Sequence, residues 1–309
     1  MAELTLAIDI GGTKIAVGLA DRSGALVHTA ITPTPRGDAE EVWAAAARLI
    51  TTTTADTAVR GVGIASAGPI HLPTGTVSPL NIGGWRDFPI VARVGGLVPG
   101  VPVRLGGDGL CMALGEYRHG AGRGAQFLLG MVVSTGVGGG LILDGAPYDG
   151  ATGNAGHVGH VVVDLDGEPC ACGGRGCVEA IASGPHLVKW ARDHGWVASA
   201  DASAKDLAAD AGTGNELALL AFRRGATAIA AMIASVAAVC DLDLVVIGGG
   251  VAKAGPLLFD PLRQALAGYA KLEFIRGLRV VPAQLGSDAG LVGAAALVDA
   301  PRPPARGKR

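Results

Sequence analysis

Residues 7–21 read AIDIGGTKIAVGLAD, and residues 132–145 read VVSTGVGGGLILDG. Each is an apolar run, a polar residue, a glycine-rich turn, a second apolar run and an acid. Short apolar runs bounded by glycine are strand signals, and a glycine-rich link between two of them is a hairpin signal. Two ordinary β-hairpins would give this pattern on their own. Repeated within one chain, it implies two similar lobes with a cleft between them.

Outward from the first unit, Leu4–Ile10, Ile15–Ala20 and Ala25–Ile31 read as a three-strand meander. Ala39–Thr51 reads as a helix and Val59–Ser66 as a strand ending in Ala-Gly-Pro. Val101–Leu105 reads as a strand running into Gly106-Gly107-Asp108, and Leu110–Tyr117 as a helix. Around the second unit, Phe127–Ser134 and Gly139–Leu143 read as strands. Pro185–His194, Ala204–Ala211 and Glu216–Val239 are then helical in pattern. Leu244–Ile247 is a buried strand closing on Gly248-Gly249-Gly250, Leu278–Pro282 a last strand and Ala289–Asp299 a last helix. Strands alternating with helices predict an α/β chain.

A length of 309 residues is long for one core and suits two lobes. Hydrophobic residues make up 49% and charged residues 17%, so a large core is available and disorder is not expected. The net charge of −2 implies no basic surface, which argues against nucleic acid as a partner. The opening MAELTLAIDIGG lacks a basic leader segment. The most apolar stretch, ATAIAAMIASVAAVC at 226–240, is flanked by Arg223, Arg224 and Asp241. It is shorter than the ~18–20 residues of a membrane span and reads as a buried helix. A cytoplasmic protein without a membrane partner is expected, with a flexible tail at 301–309.

In DIGGTK, glycines let several backbone N–H groups converge on phosphate with no β-carbon in the way. Thr13 adds a hydroxyl donor, and Asp9 can hold a hydrated Mg²⁺. The chain has neither a GxxxxGK[ST] loop nor a GxGxxG turn. The second turn, Thr135-Gly136-Val137-Gly138, can clamp the other side of the same phosphates. Gly248, Gly249 and Gly250, at a strand end, can admit a flat adenine or a ribose. Near the middle stands GNAGHVGHVVVDLDGEPCACGGRGCVEAIASG, residues 153–184. Cys170, Cys172 and Cys177 have C-x-C-x₄-C spacing, and one upstream histidine would complete a tetrahedral structural zinc site. Three buried free cysteines are the alternative. Cys111 and Cys240 lie in apolar helices and read as core.

DIGGTK, the GGD strand end followed by ALGE, STGVGGG, AG-x-x-GH, C-x-C-G-x-x-G-C-x-E-x-x-x-SG and the final GGG-V run in order from residue 6 to about residue 295. Together they resemble the ROK family of sugar kinases and repressors. The C-x-C-G-x-x-G-C-x-E segment carries most of the specificity. The resemblance implies a two-lobed, actin-like and hexokinase-like (ribonuclease H-like) fold that closes on ATP and a sugar. Residues 1–118 would form the first lobe, completed by a helix at 288–300, and residues 119–287 the second, with the zinc loop. Carried over by position, Asp108 is the catalytic base and Glu179 accepts sugar hydroxyls. His160 is the fourth zinc ligand and touches the sugar near its anomeric end. Asp9, Gly11, Gly12, Thr13 and Lys14, with Thr135 and Gly136, hold the phosphates of ATP with Mg²⁺. Gly68 and Asn81 border the sugar. A dimer or tetramer is expected.

The sequence departs from the family pattern twice, both times in the sugar pocket. Gly107 stands where the family has asparagine, and His157 where it has a sugar-binding glutamate. Neutral histidine can accept with one ring nitrogen and donate with the other. Each hydroxyl left unpaired on burial costs ~1–3 kcal/mol, so plain glucose should bind poorly. A hexose altered at a ring carbon is expected, such as the amino sugar kanosamine, ahead of a C7 cyclitol or glucose itself. A ROK-type repressor needs a helix-turn-helix, normally ahead of the DIGGT strand, and that strand begins by residue 4. Asp108 argues against a sugar-binding protein without catalysis.

Overall fold

The computed structural model describes residues 3–301, so all but the first residue of the expected tail lies outside the described residues. The chain begins with the meander β1 (Leu4–Ile10), β2 (Lys14–Ala20) and β3 (Leu26–Pro33). Helix α1 (Ala39–Thr54), strand β4 (Val59–Ser66), the small hairpin β5 (Ile70–His71) and β6 (Thr76–Val77), and helix α2 (Ile90–Leu97) follow. Strand β7 (Val103–Gly107) then runs directly into α3 (Asp108–His119). A second meander comprises β8 (Leu128–Val133), β9 (Val137–Leu143) and β10 (Ala146–Tyr148). Four helices come next: α4 (Glu179–Ala182), α5 (Gly184–Asp193), α6 (Ala204–Gly212) and α7 (Glu216–Cys240). The chain ends with β11 (Leu244–Gly248), α8 (Pro256–Tyr269), β12 (Arg279–Pro282) and α9 (Ala289–Ala296).

Apart from the β5–β6 hairpin, the strands form two five-stranded sheets, ordered β3-β2-β1-β4-β7 and β10-β9-β8-β11-β12. Each is an antiparallel meander extended by two parallel strands. The internal echo of the sequence is therefore a repeat of topology.

Residue size decides which helices cover the first sheet. On one face Leu6, Ile8, Ile10, Val17 and Ile64 pack with Val42, Ala45 and Ile50 of α1. Burying each of the larger side chains contributes ~1.5–3 kcal/mol. On the other face Ala7, Ala16 and Ala65 meet α9. Small residues there let the helix backbone approach closely. A β-carbon on Gly63 would sit 1.7 Å from the carbonyl oxygen of Ala294, so Gly63→Val would drive α9 off the sheet. Helices α3 and α9 cross just as closely, a β-carbon on Gly293 falling 1.6 Å from the Cys111 carbonyl oxygen.

Helix α3 follows a strand of the first sheet but packs on β8 and β9 of the second, with α9 alongside it. Glu116 fixes its far end. This fully buried carboxylate accepts the backbone N–H groups of Ala121, Gln284 and Leu285 at 2.8, 2.9 and 2.7 Å. Helix α7 has the length and apolarity of a membrane span, yet Ala218, Phe222, Ile229 and Ile233 are buried, and it packs on α4, α5, α6 and α8.

Candidate active site

The β1–β2 turn closes with Gly11 N–H donating to the Lys14 carbonyl at 3.0 Å, and the Thr34 hydroxyl donates to the Gly11 carbonyl at 2.6 Å. Both bonds fix the turn and leave the solvent face of Gly12 and Thr13 open. Asn81 leans on it, 2.6 Å from where a Gly12 β-carbon would be. Asp9 is the next-to-last residue of β1, beside the first turn of α9, its Oδ2 2.6 Å from a β-carbon built on Gly290. Burial, and then the charge of Asp108, push its pKa up to about 6, against the pull of Lys14.

Asp108 is the first residue of α3, in the turn where a carboxylate complements the helix dipole. Gly107, in extended conformation before it, makes no side-chain cap, and a β-carbon there would meet nothing within 4 Å. Gly109 N–H donates to Asp108 Oδ1 at 2.7 Å. The side chain is exposed, yet neighbouring protein partly desolvates its carboxyl. This desolvation raises its pKa above the usual carboxylate range, while the Gly109 N–H and the His157 ring pull it down.

His157 reaches the cleft from the loop after β10. Its Nδ1 lies 3.0 Å from the Asn154 carbonyl, which can only accept, so Nδ1 carries the proton. The opposite edge faces Gly68, whose β-carbon would lie 3.0 Å from Nε2. Asn154 itself pairs with the main chain of Ile70. Glu179 opens α4 and reaches the second glycine turn, Oε2 accepting the Val137 N–H at 2.8 Å. A β-carbon on Gly136 would lie 2.7 Å from the same oxygen.

Beyond exposed Thr135 opens a cavity of ≈ 560 Å³, within the range of small-molecule sites. Gly184, Val188, Lys205, Gly250 and Val251 are among its walls. Gly250 lines it, whereas Gly248 faces Met112 and Ala283, and Gly249 faces the main chain of Val133. One wall is the start of α6, capped by Ser203 in a reciprocal box with Asp206. The preceding loop is held by Arg192, which donates to the carbonyls of Ser199 and Ala200. The sequence reading named Gly250 at the end of β11 but missed the walls that come from α5 and α6.

Below Glu179, the Nδ1 edge of His160 lies 3.8 Å from Cys170 Sγ, and Cys172 Sγ lies 3.8 Å from Cys177 Sγ. All four donor atoms fall within 4.8 Å of one another. A tetrahedral ion with Zn–S near ~2.3 Å has a ligand–ligand edge of about 3.8 Å, so the set fits zinc. Without a cation, burial and then the crowding of Cys170 and Cys172 push the Cys177 thiol up to about 12. A divalent cation reverses that logic by binding the thiolates.

A family profile described as "ROK family" matches residues 5–300. The chain belongs to the ROK family. It is 37% identical over 294 residues to the N-acetylmannosamine kinase of Citrobacter koseri, covering 95% of this chain and 98% of that one. It is 32% identical over 307 residues to the glucokinase of Thermotoga maritima, covering 95% and 96%. A ROK family glucokinase of Streptomyces griseus, solved in complex with glucose and AMPPNP, is 35% identical with a TM-score of 0.81, covering 95% of this chain and 98% of that chain. The two-lobed, hexokinase-like fold is that of these ROK sugar kinases.

Proposed function

We propose that this chain, an ATP-dependent sugar kinase of the ROK family, phosphorylates the primary hydroxyl of a hexose or modified hexose with Asp108 as general base. One observation supports the reading: Asp108 opens α3 directly after β7, within electrostatic reach of both Asp9 and the His157 ring. The primary hydroxyl, hydrogen-bonded to Asp108, gives its proton to that carboxylate. Its oxygen forms a bond to the γ-phosphorus, the bond from phosphorus to the bridging oxygen breaks, and ADP departs with that electron pair. A carboxylate whose pKa lies above the usual range is the stronger base, and closure of the lobes excludes water from the same spot.

Two turns face the phosphates: Gly11-Gly12-Thr13 with Lys14 on one side, Thr135-Gly136 on the other. Asp9 would hold Mg²⁺, which neutralises charge on the transferring group when bound. The cavity walled by Gly184, Lys205 and Gly250 would take the nucleoside. His160, Cys170, Cys172 and Cys177 would hold a structural zinc that fixes the segment leading to Glu179.

For the sugar, Gly107 and His157 favour a hexose altered at a ring carbon. The aminodeoxyhexose kanosamine fits ahead of a C7 cyclitol, because it keeps the pyranose contacts of His160 and Glu179. Glucokinase activity is the second reading, favoured by the relatives of that name. ADP release measured over hexoses, N-acetylmannosamine, kanosamine and cyclitols tests both. Silence with every sugar would defeat the kinase reading, and a clear preference for glucose would defeat the finer one.

A further inference from the structure

Asn154 forms a clasp between the two halves of the chain. Its Oδ1 accepts the Ile70 N–H at 3.0 Å, and its Nδ2 donates to the Ile70 carbonyl at 2.7 Å and to Thr152 Oγ1 at 2.9 Å. Ile70 opens β5, which pairs with β6 on one side only. A free strand edge presents an N–H and a C=O side by side. The primary amide, with an acceptor oxygen and a donor nitrogen, matches both. A parallel tie runs from the Leu72 N–H to the Thr152 carbonyl at 3.0 Å.

The same residue also controls a ring in the sugar mouth. Its main-chain carbonyl accepts His157 Nδ1–H at 3.0 Å, which turns the Nε2 edge of the ring towards Gly68. Gly68 lies two residues before the clasped Ile70. Side chain and main chain of Asn154 therefore fix the two walls that meet at His157 Nε2. A side chain at 154 without both amide atoms would leave the Gly68 wall free to drift from the ring.

We propose that Asn154 is a positioning residue for sugar recognition, setting the distance between His157 Nε2 and the Gly68 wall. The proposal rests on the kinase reading above. It assigns Asn154 an effect on the sugar that the nucleotide does not share, since the glycine turns and the cavity beyond Thr135 lie outside the clasp.

The test uses the full chain and the best acceptor of the sugar panel, or D-glucose if none is turned over. Asn154→Asp keeps the acceptor and loses the donor, and Asn154→Ala loses both. The Thr152–Leu72 tie stays in each. We expect the sugar KM to rise about tenfold in Asn154→Ala and less in Asn154→Asp, with kcat and the ATP KM within ~2-fold of the parent. In a His157→Ala background, Asn154→Ala should add less than ~2-fold, because the ring it positions is gone. Additive effects, or equal rises in sugar and ATP KM, would make Asn154 merely structural and overturn the proposal. Calorimetric sugar binding without ATP separates the two readings. Binding by the parent that weakens in Asn154→Ala supports the clasp even if no form releases ADP, in which case the kinase reading alone fails. Binding that is absent from the parent, or unchanged by the substitution, overturns the clasp.

Discussion

The Glu179 carboxylate is tied to the main chain beside Gly136: Oε2 accepts the Val137 N–H at 2.8 Å, and a β-carbon on Gly136 would lie 2.7 Å from it. On the proposed reading, sugar and phosphate recognition share a few ångströms of backbone. Gly136→Val should raise the KM of both substrates, each by about tenfold or more. Gly11→Val, whose β-carbon would meet only the Lys14 carbonyl at 3.5 Å, should act through its added methyls on ATP alone. Steady-state kinetics varying each substrate in turn will show the contrast. A Gly136 variant with an unchanged sugar KM would mean that Glu179 relaxes without consequence.

Asp108→Asn keeps the size of the side chain and removes the proposed base. We expect kcat to fall by ~10²–10⁴ while sugar and nucleotide still bind, read by calorimetry beside turnover. A variant that retains a large fraction of the parent rate would place the base elsewhere.

Asp9 bears on stability. Its pKa is raised from 3.8 to about 6 on folding, so the folded state holds its proton more tightly than the unfolded state. Stability therefore falls as pH rises from the unfolded value through about 6, and the penalty is fully present at neutral pH. Asp9→Asn should be more stable than the parent by about 1–2 kcal/mol at neutral pH without ligands, after discounting for solvent around a half-buried group. The gain should shrink towards pH 4, while turnover with Mg²⁺ and ATP collapses at every pH. Denaturant melts across that range will show it, and a gain that persists in acid would assign the effect to another cause.

The four donors at His160, Cys170, Cys172 and Cys177 should bring one zinc per chain through purification. Cys172→Ser should lose the metal, lower the melting temperature and weaken sugar binding, because metal affinity at such a site is folding free energy. Elemental analysis settles the first point. Metal well below one equivalent in fresh protein would leave three free thiols instead.

Gly107→Asn is sterically tolerated, since nothing lies within 4 Å of the new β-carbon. Combined with His157→Glu, it should raise kcat/KM for glucose relative to the preferred sugar by about tenfold, the scale of one recovered hydrogen bond. Competition between the two sugars reads the ratio directly. An unchanged ratio would show that these positions do not set specificity.

Most of the architecture was legible because its signals are local. The Gly11–Gly12 and Thr135–Gly136 turns, the helix ahead of Tyr117 and the spacing of Cys170, Cys172 and Cys177 each sit within one element or one loop. Helix α3 was read two residues short at each end; at its start Asp108 follows the last residue of β7 directly and is already helical. Helix α8 escaped because Pro261 interrupts its pattern, although Gly255-Pro256 is an ordinary helix start. The cavity walls at Gly184 and Lys205 and the Asn154–Ile70 pairing could not be read from spacing. Both bring together segments distant in sequence, and only tertiary packing sets their separation.

Asp108 stands where the chain changes allegiance, since β7 belongs to the first sheet and α3 lies against the second. When two rigid bodies turn against each other, points near the joint travel least, and points on the rims sweep an arc that grows with distance from the axis. On the proposed mechanism, a carboxylate mounted at the joint would keep its address while both walls moved. The rims would supply the travel needed to admit and enclose a guest, and the joint the accuracy that the proposed proton transfer demands.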